Sequence, residues 1–320
     1  MNKNKVVVLG GGVLGTQIGL ISAYHGYDVT FWLRSDSSIE RTNPKIERYS
    51  SLMLEDLEKA KKLVGNPMGA YYYPRGMIKD WNNATLESLE KLYETGKKNL
   101  KENVHIELDR AKAVKDAYIV IESMSEDPQA KIEVYKQFKD LLDEETILVT
   151  NSSTLLPSMF AQYTGRPQKY LSLHFANTIW KNNTAEIMGH EGTDEQAYNE
   201  VVRFAGSIGM VPLKLHKEQP GYILNSMLVP FLMAAQSLVA EGVADAETVD
   251  LTWQLGTGAP MGPLHIVDLV GTATAYNITT TLPGGSDPST PTGRVAAMLK
   301  RMMDEGKTGI NAGKGFFKYN

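Results

Sequence analysis

The amino-terminal segment alternates between two patterns of apolar residues. A β-branched apolar run covers residues 5–9, apolar residues at helical spacing cover 14–25, and a second extended run covers 28–33. Extended β-branched runs are typical of buried strands, and the three-and-four spacing is typical of a helix. The order predicts a β-α-β unit at the start of the chain.

The segment 40–101 has a different pattern. It is rich in Lys, Glu and Leu at three-and-four spacing, and the stretch GNPMGAYYYPRG at 65–76 interrupts it. Clusters of Gly and Pro mark turns. We therefore expect a helical insertion with a turn-rich middle.

Strand and helix patterns alternate again after the insertion. Continuous apolar strands separated by amphipathic helices, one of them over 130–142, indicate a parallel sheet that is covered on both faces. The predicted fold class is α/β, a Rossmann-type doubly wound sheet with a helical insertion. The remaining strands are predicted at 105–108, 118–123, 146–150, 170–175, 185–188 and 211–215.

The pattern changes at HKEQPGY, residues 216–222, because long helices replace strands beyond it. We expect an α/β domain over 1–217 that carries the insertion at about 40–101, and an all-α C-terminal domain over 218–320. Helices in the second domain are predicted near 222–239, 245–255, 263–277 and 294–305.

Composition narrows the class of partner. The 320 residues are 42% hydrophobic and 22% charged, with a net charge of -4 and no cysteine. A protein without a basic excess is not typical of nucleic-acid or membrane-surface binding, which leaves small molecules as the expected partners. The absence of cysteine excludes disulfides and thiolate chemistry, and no metal site is predicted. No apolar segment has the length of a membrane span, and no signal peptide is recognised, so a cytoplasmic location is expected.

A glycine motif lies between the first predicted strand and helix. Gly10, Gly12 and Gly15 have the spacing G-x-G-x-x-G, with Val13 and Leu14 opening the helix. The first glycine allows a tight turn, the second lets the backbone approach a pyrophosphate, and the third allows close packing of helix on strand. The motif predicts that the first domain binds a dinucleotide; a purely structural turn is the alternative.

The end of the second predicted strand distinguishes the two nicotinamide dinucleotides. An NAD site places Asp or Glu there to bind the ribose hydroxyls, whereas a 2'-phosphate is repelled by that acid and prefers arginine. Here the strand ends in Leu33, Arg34 and Ser35, and Asp36 follows. The missing acid and Arg34 favour NADP(H). The alternatives are NAD(H), with Asp36 reaching the ribose, and a solvated loop cation at Arg34.

Polar residues follow the strand at 146–150. Asn151 and Ser153 belong to the run NSSTL at the carboxyl end of the expected parallel sheet, where such folds bind ligands. The alternative is that these hydroxyls cap a helix.

Three further polar residues stand in apolar surroundings. His174 ends a predicted strand, and Glu186 lies twelve residues later in another. Two strands joined by a loop can bring imidazole and carboxylate together, which makes the histidine a better base. Asn225 lies in the first turns of an apolar helix, and a buried amide needs partners. The alternatives are a structural histidine and a packing amide.

A set of motifs is distributed over both expected domains in a fixed order: the glycine fingerprint, VIESMSED with Glu122 and Glu126, NSSTL, LHFANT, AEIMG, PGYILN, GAPMGPLHIVDLVG and GKGFFKY. Through these motifs the chain resembles the 3-hydroxyacyl-CoA dehydrogenase family almost from end to end. The resemblance implies that Ser153, His174, Glu186 and Asn225 line the reacting carbonyl. It also implies an L (S) alcohol product and a homodimer formed through the helical domain. The residues assigned to the cofactor are Gly10, Gly12, Val13, Leu14, Gly15, Arg34, Ser35, Glu122, Lys131 and Asn151.

Within the family, the chain is most similar to the diketoreductase-like branch, through NSSTLLPS, LHFAN, NNTAE, GTGAP and TAYNI. The expected reaction is therefore hydride transfer between a nicotinamide cofactor and the C3 oxygen-bearing carbon of a 3-oxo or 3-hydroxy acid derivative, as an ester, a diketo ester or an acyl-CoA. The alternatives are a conventional NAD-dependent acyl-CoA dehydrogenase, a dehydrogenase of a small polar hydroxy acid, and a non-catalytic nucleotide-binding protein.

Overall fold

The computed structural model describes residues 2–319, which contain one mixed sheet of eight strands. The strands lie in the order β3-β2-β1-β4-β5-β6-β7-β8. This order, with β1 in the middle and the chain winding outwards in both directions, is that of a doubly wound sheet. The strands are β1 (Asn2–Leu9), β2 (Asp28–Trp32), β3 (Val104–Glu107), β4 (Ala117–Glu122), β5 (Ile147–Thr150), β6 (Tyr170–Phe175), β7 (Thr184–Met188) and β8 (Val211–Lys214).

Burial explains why β1 is apolar from Val6 to Leu9. Val6 and Val8 pack into one hydrophobic cluster, whereas Val7 and Leu9 pack into a second cluster on the opposite face. Successive side chains of a strand point to opposite faces, so both faces of the sheet are covered. The predicted α/β class and the covered sheet are confirmed.

One strand departs from the expected parallel arrangement. β7 pairs antiparallel with β6, while every other neighbouring pair among the described strands is parallel. A parallel connection requires a crossover of a dozen or more residues, and the loop at 176–183 is shorter than that. The chain therefore turns back on itself, and β6 and β7 form a hairpin.

The helical insertion consists of α2 (Asp36–Lys61), α3 (Gly69–Tyr72) and α4 (Leu86–Glu102), with turns over the Gly-rich and Pro-rich stretch between α2 and α4. Thr85 caps α4 and exchanges hydrogen bonds with Ser88 in a capping box. The other helices of the first unit are α1 (Val13–Tyr24), α5 (Arg110–Val114), α6 (Pro128–Phe138) and α7 (Glu195–Ser207).

The chain divides into two compact units between Ile223 and Leu224. The division falls a little after the expected boundary of 217/218, because Tyr222 and Ile223 hydrogen-bond to Ser152 and Glu186 of the first unit. The regular structure among the described residues of the second unit consists of helices joined by turns, apart from isolated bridges in its tail. Its helices are α8 (Leu224–Ala240), α9 (Ala246–Thr257), α10 (Pro263–Val270), α11 (Thr272–Thr281) and α12 (Pro291–Asp304).

The helix predicted at 263–277 is two helices rather than one. Gly271 separates α10 from α11 and has φ of +96°, a conformation that glycine adopts at no steric cost. None of the helices within residues 2–319 combines the length and apolar character that crossing a bilayer requires.

Candidate active site

The glycine motif forms the turn between β1 and α1. Gly10 has φ of +111°, and a Cβ there would lie 2.8 Å from the carbonyl oxygen of Ser123. A Cβ on Gly15 would lie 2.9 Å from the carbonyl oxygen of Gly10, whereas a Cβ on Gly12 would meet nothing within 4 Å. The first and third glycines are thus required for packing, and the second borders open space.

This loop has the features of a pyrophosphate site. Val13 and Leu14 open α1, so their N–H groups and that of Gly15 belong to the helix turn that has no partners inside the helix. Such N–H groups and the helix dipole attract an anion. The residues present therefore fit a dinucleotide, whose phosphates these N–H groups would bind.

The end of β2 borders an open cavity of about 380 Å³ beside the glycine loop. Leu33 occupies the position expected for an acid and is only 2% exposed. Arg34 is exposed and lines the cavity. Ser35 precedes α2, and its hydroxyl hydrogen-bonds to those of Ser37 and Ser38. No carboxylate lies among the residues that line this cavity: Gly10, Gly11, Gly12, Trp32, Leu33, Arg34, Ser38, Arg41, Thr42, Lys45, Ser123, Met124 and Ser125.

Glu122 and Lys131, assigned to the cofactor by resemblance, form a buried ion pair behind the loop. Both side chains are at most 1% exposed, and the Lys131 Nζ lies 2.8 Å from one oxygen of Glu122. The other oxygen accepts hydrogen bonds from Tyr135 and Thr150. Glu122 at the end of β4 is thus joined to α6 through Lys131 and to the end of β5 through Thr150. Their contact with a cofactor stays a prediction.

Glu126 has a clear structural role that the sequence analysis did not assign. Its Oε1 accepts hydrogen bonds from the hydroxyl of Ser152 (2.6 Å), the N–H of Ser153 (2.8 Å), and both the N–H and the hydroxyl of Thr154 (3.0 Å each). One carboxylate oxygen thus holds the loop that carries Ser153. The sequence pattern that could have predicted these contacts is an acid shortly after the end of one strand, followed by a run of hydroxyl residues after the end of the next strand.

The charge of Glu126 is favoured by its surroundings. Burial raises the pKa of this carboxyl, but the hydrogen bonds from Ser152 and Thr154 and the charge of Lys131 outweigh burial, and the net pKa lies below its ordinary value. The carboxylate is therefore ionised at neutral pH, when it is the stronger hydrogen-bond acceptor.

The loop at 151–155 does not cap a helix. The first helical turn after it is a short 3-10 turn over Pro157–Met159, preceded by Leu156. The alternative of a helix cap is therefore wrong. Asn151 is 8% exposed, and its Oδ1 accepts a hydrogen bond from the N–H of Phe175, which joins the ends of β5 and β6.

His174 and Glu186 are opposite each other in the antiparallel β6–β7 pair. The Nδ1 of His174 lies 3.0 Å from Oε2 of Glu186, and both side chains are almost completely buried. An ionised carboxylate only accepts hydrogen bonds, so we assign the Nδ1 proton to the bond with Glu186. The second oxygen of Glu186 accepts a hydrogen bond from the N–H of Ile223 (2.8 Å).

The other imidazole nitrogen faces Ser153. Nε2 of His174 lies 3.2 Å from the Ser153 hydroxyl oxygen. In the neutral tautomer Nε2 accepts a hydrogen bond from that hydroxyl, and in the imidazolium it donates one. The structure thus brings Ser153, His174 and Glu186 into one hydrogen-bonded line, as acid–base chemistry at an oxygen beside Nε2 requires.

Tyr222 completes the surroundings of the imidazole. Its ring stacks on that of His174, with centroids 4.4 Å apart and planes at 12°, and its hydroxyl donates a hydrogen bond to the carbonyl oxygen of Ser152 (2.7 Å). Burial raises the pKa of this hydroxyl well above its ordinary value, so it remains a donor. Tyr222 has φ of +56°, an uncommon conformation for a residue with a side chain, and such residues concentrate at functional sites.

A buried glutamine joins the dinucleotide loop to the hairpin. Gln17 lies on α1 and is 3% exposed, and its Oε1 accepts hydrogen bonds from the N–H groups of Thr178 and Ile179 in the β6–β7 loop. The helix that begins at the glycine motif is thereby tied to the loop between the strands that carry His174 and Glu186. Sequence reasoning did not identify this residue.

Asn225 belongs to the second unit, in the first turn of α8, and is partly buried. Its assignment to the reacting carbonyl rests on the resemblance alone and stays a prediction.

Comparison with known proteins covers the whole described chain. The family model described as "3-hydroxyacyl-CoA dehydrogenase, NAD binding domain" matches residues 5–219, and the one described as "3-hydroxyacyl-CoA dehydrogenase, C-terminal domain" matches residues 221–319. The two models therefore meet within the segment where the sequence pattern changes.

Individual relatives agree with these matches. The mitochondrial hydroxyacyl-coenzyme A dehydrogenase of Homo sapiens is 29% identical over 98% of this chain and 90% of its own length. A probable 3-hydroxybutyryl-CoA dehydrogenase of Deinococcus radiodurans is 28% identical over 98% of this chain and 100% of its own. A solved structure of a diketoreductase, described in connection with catalysis on dicarbonyl compounds, is 40% identical, with a TM-score of 0.79 over 99% of both chains.

Proposed function

Because the chain belongs to the 3-hydroxyacyl-CoA dehydrogenase family and is a nicotinamide-dependent oxidoreductase, we propose that it interconverts the 3-oxo and 3-hydroxy forms of an ester or diketo ester of an acid, with the L (S) alcohol as the reduced product. The similarity to a diketoreductase at 40% identity supports this substrate class. The family match over both domains makes an acyl-CoA thioester the second candidate.

The observation that carries the proposal is the line Ser153, His174, Glu186 at the carboxyl end of β5 and in the β6–β7 hairpin. Buried imidazole–carboxylate pairs are common in acid–base sites, and the hydroxyl on the far side of the ring marks where a substrate oxygen can accept hydrogen bonds. A protein that only bound nucleotide would not require this arrangement.

Each residue of the line has a distinct task. The nicotinamide cofactor supplies or accepts the hydride when bound. During reduction, His174 as imidazolium donates the proton on Nε2 to the oxygen of the substrate carbonyl, and Ser153 donates a hydrogen bond to the same oxygen. Glu186 stabilises the imidazolium through Nδ1 and holds the ring in one orientation. During oxidation, His174 takes the hydroxyl proton back.

We also propose that the cofactor is NADP(H) rather than NAD(H). Leu33 replaces the acid that would bind a free ribose 2'-hydroxyl, and Arg34 extends into the cavity beside it. NAD(H) remains the alternative, since the matching family model is described as an NAD binding domain.

The test is a panel of 3-oxo esters, diketo esters and acyl-CoA thioesters assayed with NADH and NADPH in parallel. We expect the highest kcat/KM with an ester or diketo ester and NADPH. Preference for an acyl-CoA with NADH would select the conventional dehydrogenase. Activity confined to small polar hydroxy acids would contradict the proposed substrate class. Binding of cofactor without turnover of any compound would favour a non-catalytic nucleotide-binding protein.

We further propose that the protein is a homodimer, as the resemblance implies. Several large apolar side chains of the helical unit are more than half exposed, and apolar side chains that form a contiguous exposed patch are typical of an interface. They are Met227, Val243, Leu251, Leu255 and Leu269. Sedimentation equilibrium should give the mass of two chains; the mass of one chain at micromolar concentration would contradict this.

A further inference from the structure

The cavity beside the glycine loop is lined by three cations from two different elements. Arg34 follows β2, whereas Arg41 and Lys45 lie on α2, the first helix of the insertion. Residues four apart on a helix share one face, so the two α2 cations lie on the same side of that helix. Thr42 of the same helix packs against Gly11, which brings α2 directly onto the dinucleotide loop.

The partners of the α2 cations within the protein are neutral. The Nζ of Lys45 donates hydrogen bonds to the carbonyl oxygens of Gly11 (3.2 Å) and Arg41 (2.6 Å), and Arg41 donates one to the hydroxyl of Ser38 (3.2 Å). Among residues 2–319, no carboxylate forms an ion pair with Arg34, Arg41 or Lys45.

At the C-terminal end of α2, in contrast, the lysines form ion pairs with carboxylates. Lys59 pairs with Asp56, and Lys61 pairs with Glu58 and Glu90. The positive charge of α2 is therefore neutralised at one end and left uncompensated at the cavity.

A pyrophosphate against the glycine loop does not account for three additional cations. The helix N-terminus of α1 already supplies N–H groups and dipole for that group. An uncompensated cluster with two arginines is suited to a phosphate monoester, whose oxygens accept several charge-assisted hydrogen bonds from guanidinium groups. The end of β2 is where a doubly wound fold places the adenosine ribose.

We propose that Arg34, Arg41 and Lys45, with the Ser38 hydroxyl, form the binding pocket for the 2'-phosphate of NADP(H). This inference rests on the proposed nicotinamide-dependent function and assigns its cofactor selectivity to the insertion helix as well as to the end of β2. The insertion thus has a second role beyond packing, because its first turns determine which dinucleotide binds.

The experiment measures binding of two small probes by calorimetry, without turnover. Adenosine 2',5'-bisphosphate and adenosine 5'-monophosphate differ only by the 2'-phosphate. We expect the bisphosphate to bind the wild-type protein at least about tenfold more tightly, since charge-assisted hydrogen bonds to one phosphate supply at least that factor. We also expect added salt to lower the affinity for the bisphosphate more than the affinity for the monophosphate.

Single substitutions test which residues bind the 2'-phosphate. Arg41→Ala and Lys45→Ala should each lower the affinity for the bisphosphate about tenfold and change the affinity for the monophosphate by less than about twofold. Lys45→Arg should retain most of the affinity, because the charge remains. Arg48→Ala removes the same charge from an exposed position of α2 outside the cavity and should leave both probes unaffected.

Two results would overturn the inference. One is equal affinity of the wild-type protein for the two probes; the other is an equal loss for both probes in Arg41→Ala and Lys45→Ala, which would place these cations at the 5'-phosphate. Either result is independent of the proposed reaction, whose failure would instead be seen as absence of turnover with both cofactors.

Discussion

The imidazole of His174 lies flat on the ring of Tyr222, and the hydroxyl of that tyrosine is hydrogen-bonded to the backbone just before Ser153. One side chain therefore contacts the imidazole proposed as the acid–base group and also hydrogen-bonds to the loop that carries Ser153. The next residue, Ile223, donates its N–H to Glu186. Two successive residues, Tyr222 and Ile223, thus contact both ends of the hydrogen-bonded line formed by Ser153, His174 and Glu186.

Tyr222→Phe keeps the stacked ring and removes the hydroxyl that donates to the carbonyl oxygen of Ser152. We expect kcat to fall about three- to tenfold, as the loss of a hydroxyl's hydrogen bonding predicts, with little change in KM. Tyr222→Leu should lower kcat further, because it also removes the ring from the imidazole. Tyr118→Phe is the matched control, since the Tyr118 hydroxyl donates its hydrogen bond to Glu200 of α7. A wild-type kcat in both Tyr222 variants would show that the stack plays no part in positioning.

His174→Ala removes the proposed proton donor and acceptor. Turnover should fall by about two to four orders of magnitude, the usual contribution of general acid–base catalysis, while binding of cofactor is retained. His105→Ala is the control, because His105 is half exposed and pairs with Asp28 at the sheet edge. The measurement is the steady-state kinetics of both variants. An unchanged kcat in His174→Ala would refute the assignment of His174 as proton donor and acceptor.

Glu186→Gln replaces the carboxylate that orients the imidazole. The neutral amide stabilises the imidazolium less, and its NH₂ group can bind Nδ1 and select the wrong tautomer. We expect kcat to fall about a hundredfold or more. Nitrogen-15 spectra of the histidines should show the proton of neutral His174 on Nδ1 in the wild-type protein. A proton on Nε2 would contradict the tautomer assigned from the structure.

Glu126→Gln tests whether one carboxylate positions the loop at 151–154. The substitution keeps an acceptor oxygen but removes the charge that strengthens four hydrogen bonds. We expect kcat to fall about tenfold, and the loss should exceed that of Glu133→Gln, an exposed glutamate of α6. Equal activity of the two variants would mean that the loop is held without Glu126.

His25 gives the protein a predictable pH dependence of stability. Burial lowers the pKa of His25 to about 4, from an ordinary value of 6.5, and its Nε2–H donates a hydrogen bond to the carbonyl oxygen of Gly76. The unfolded chain therefore binds a proton that the folded chain does not, so stability is complete above about pH 6.5 and decreases as the pH falls towards 4. At pH 4 this effect lowers the free energy of unfolding by about 3 kcal/mol relative to its value well above pH 6.5.

Urea unfolding at several pH values measures this effect. His25→Gln retains a donor for Gly76 but does not titrate, so its free energy of unfolding should decrease less between pH 7 and pH 4 than that of the wild-type protein. Parallel pH dependences in the two proteins would contradict the shifted pKa.

The sequence determined those features that depend on short stretches of chain. β1 over residues 6–9 and β4 over residues 117–121 are continuously apolar because both faces of the sheet are covered, and that pattern is readable without knowing what covers them. The spacing of Gly10, Gly12 and Gly15 is equally local, since a single turn requires it. The contact between His174 and Glu186 could be anticipated because both lie on strands joined by a short loop.

Tertiary structure decided what depends on residues distant in the chain. Glu126 holds the loop at 151–154 because two parallel strands end side by side, and Tyr222 reaches His174 because the chain returns to the sheet before the second unit begins. Arg41 and Lys45 join Arg34 only because α2 packs on Gly11. No local pattern specifies these contacts. Each of them arises when two elements pack together, and the sequence of either element would form the same helix, strand or loop without the other. The family and the candidate residues Ser153, His174 and Glu186 were therefore predictable from the sequence. The groups that hold these three residues in place, and those proposed to select the cofactor, were not.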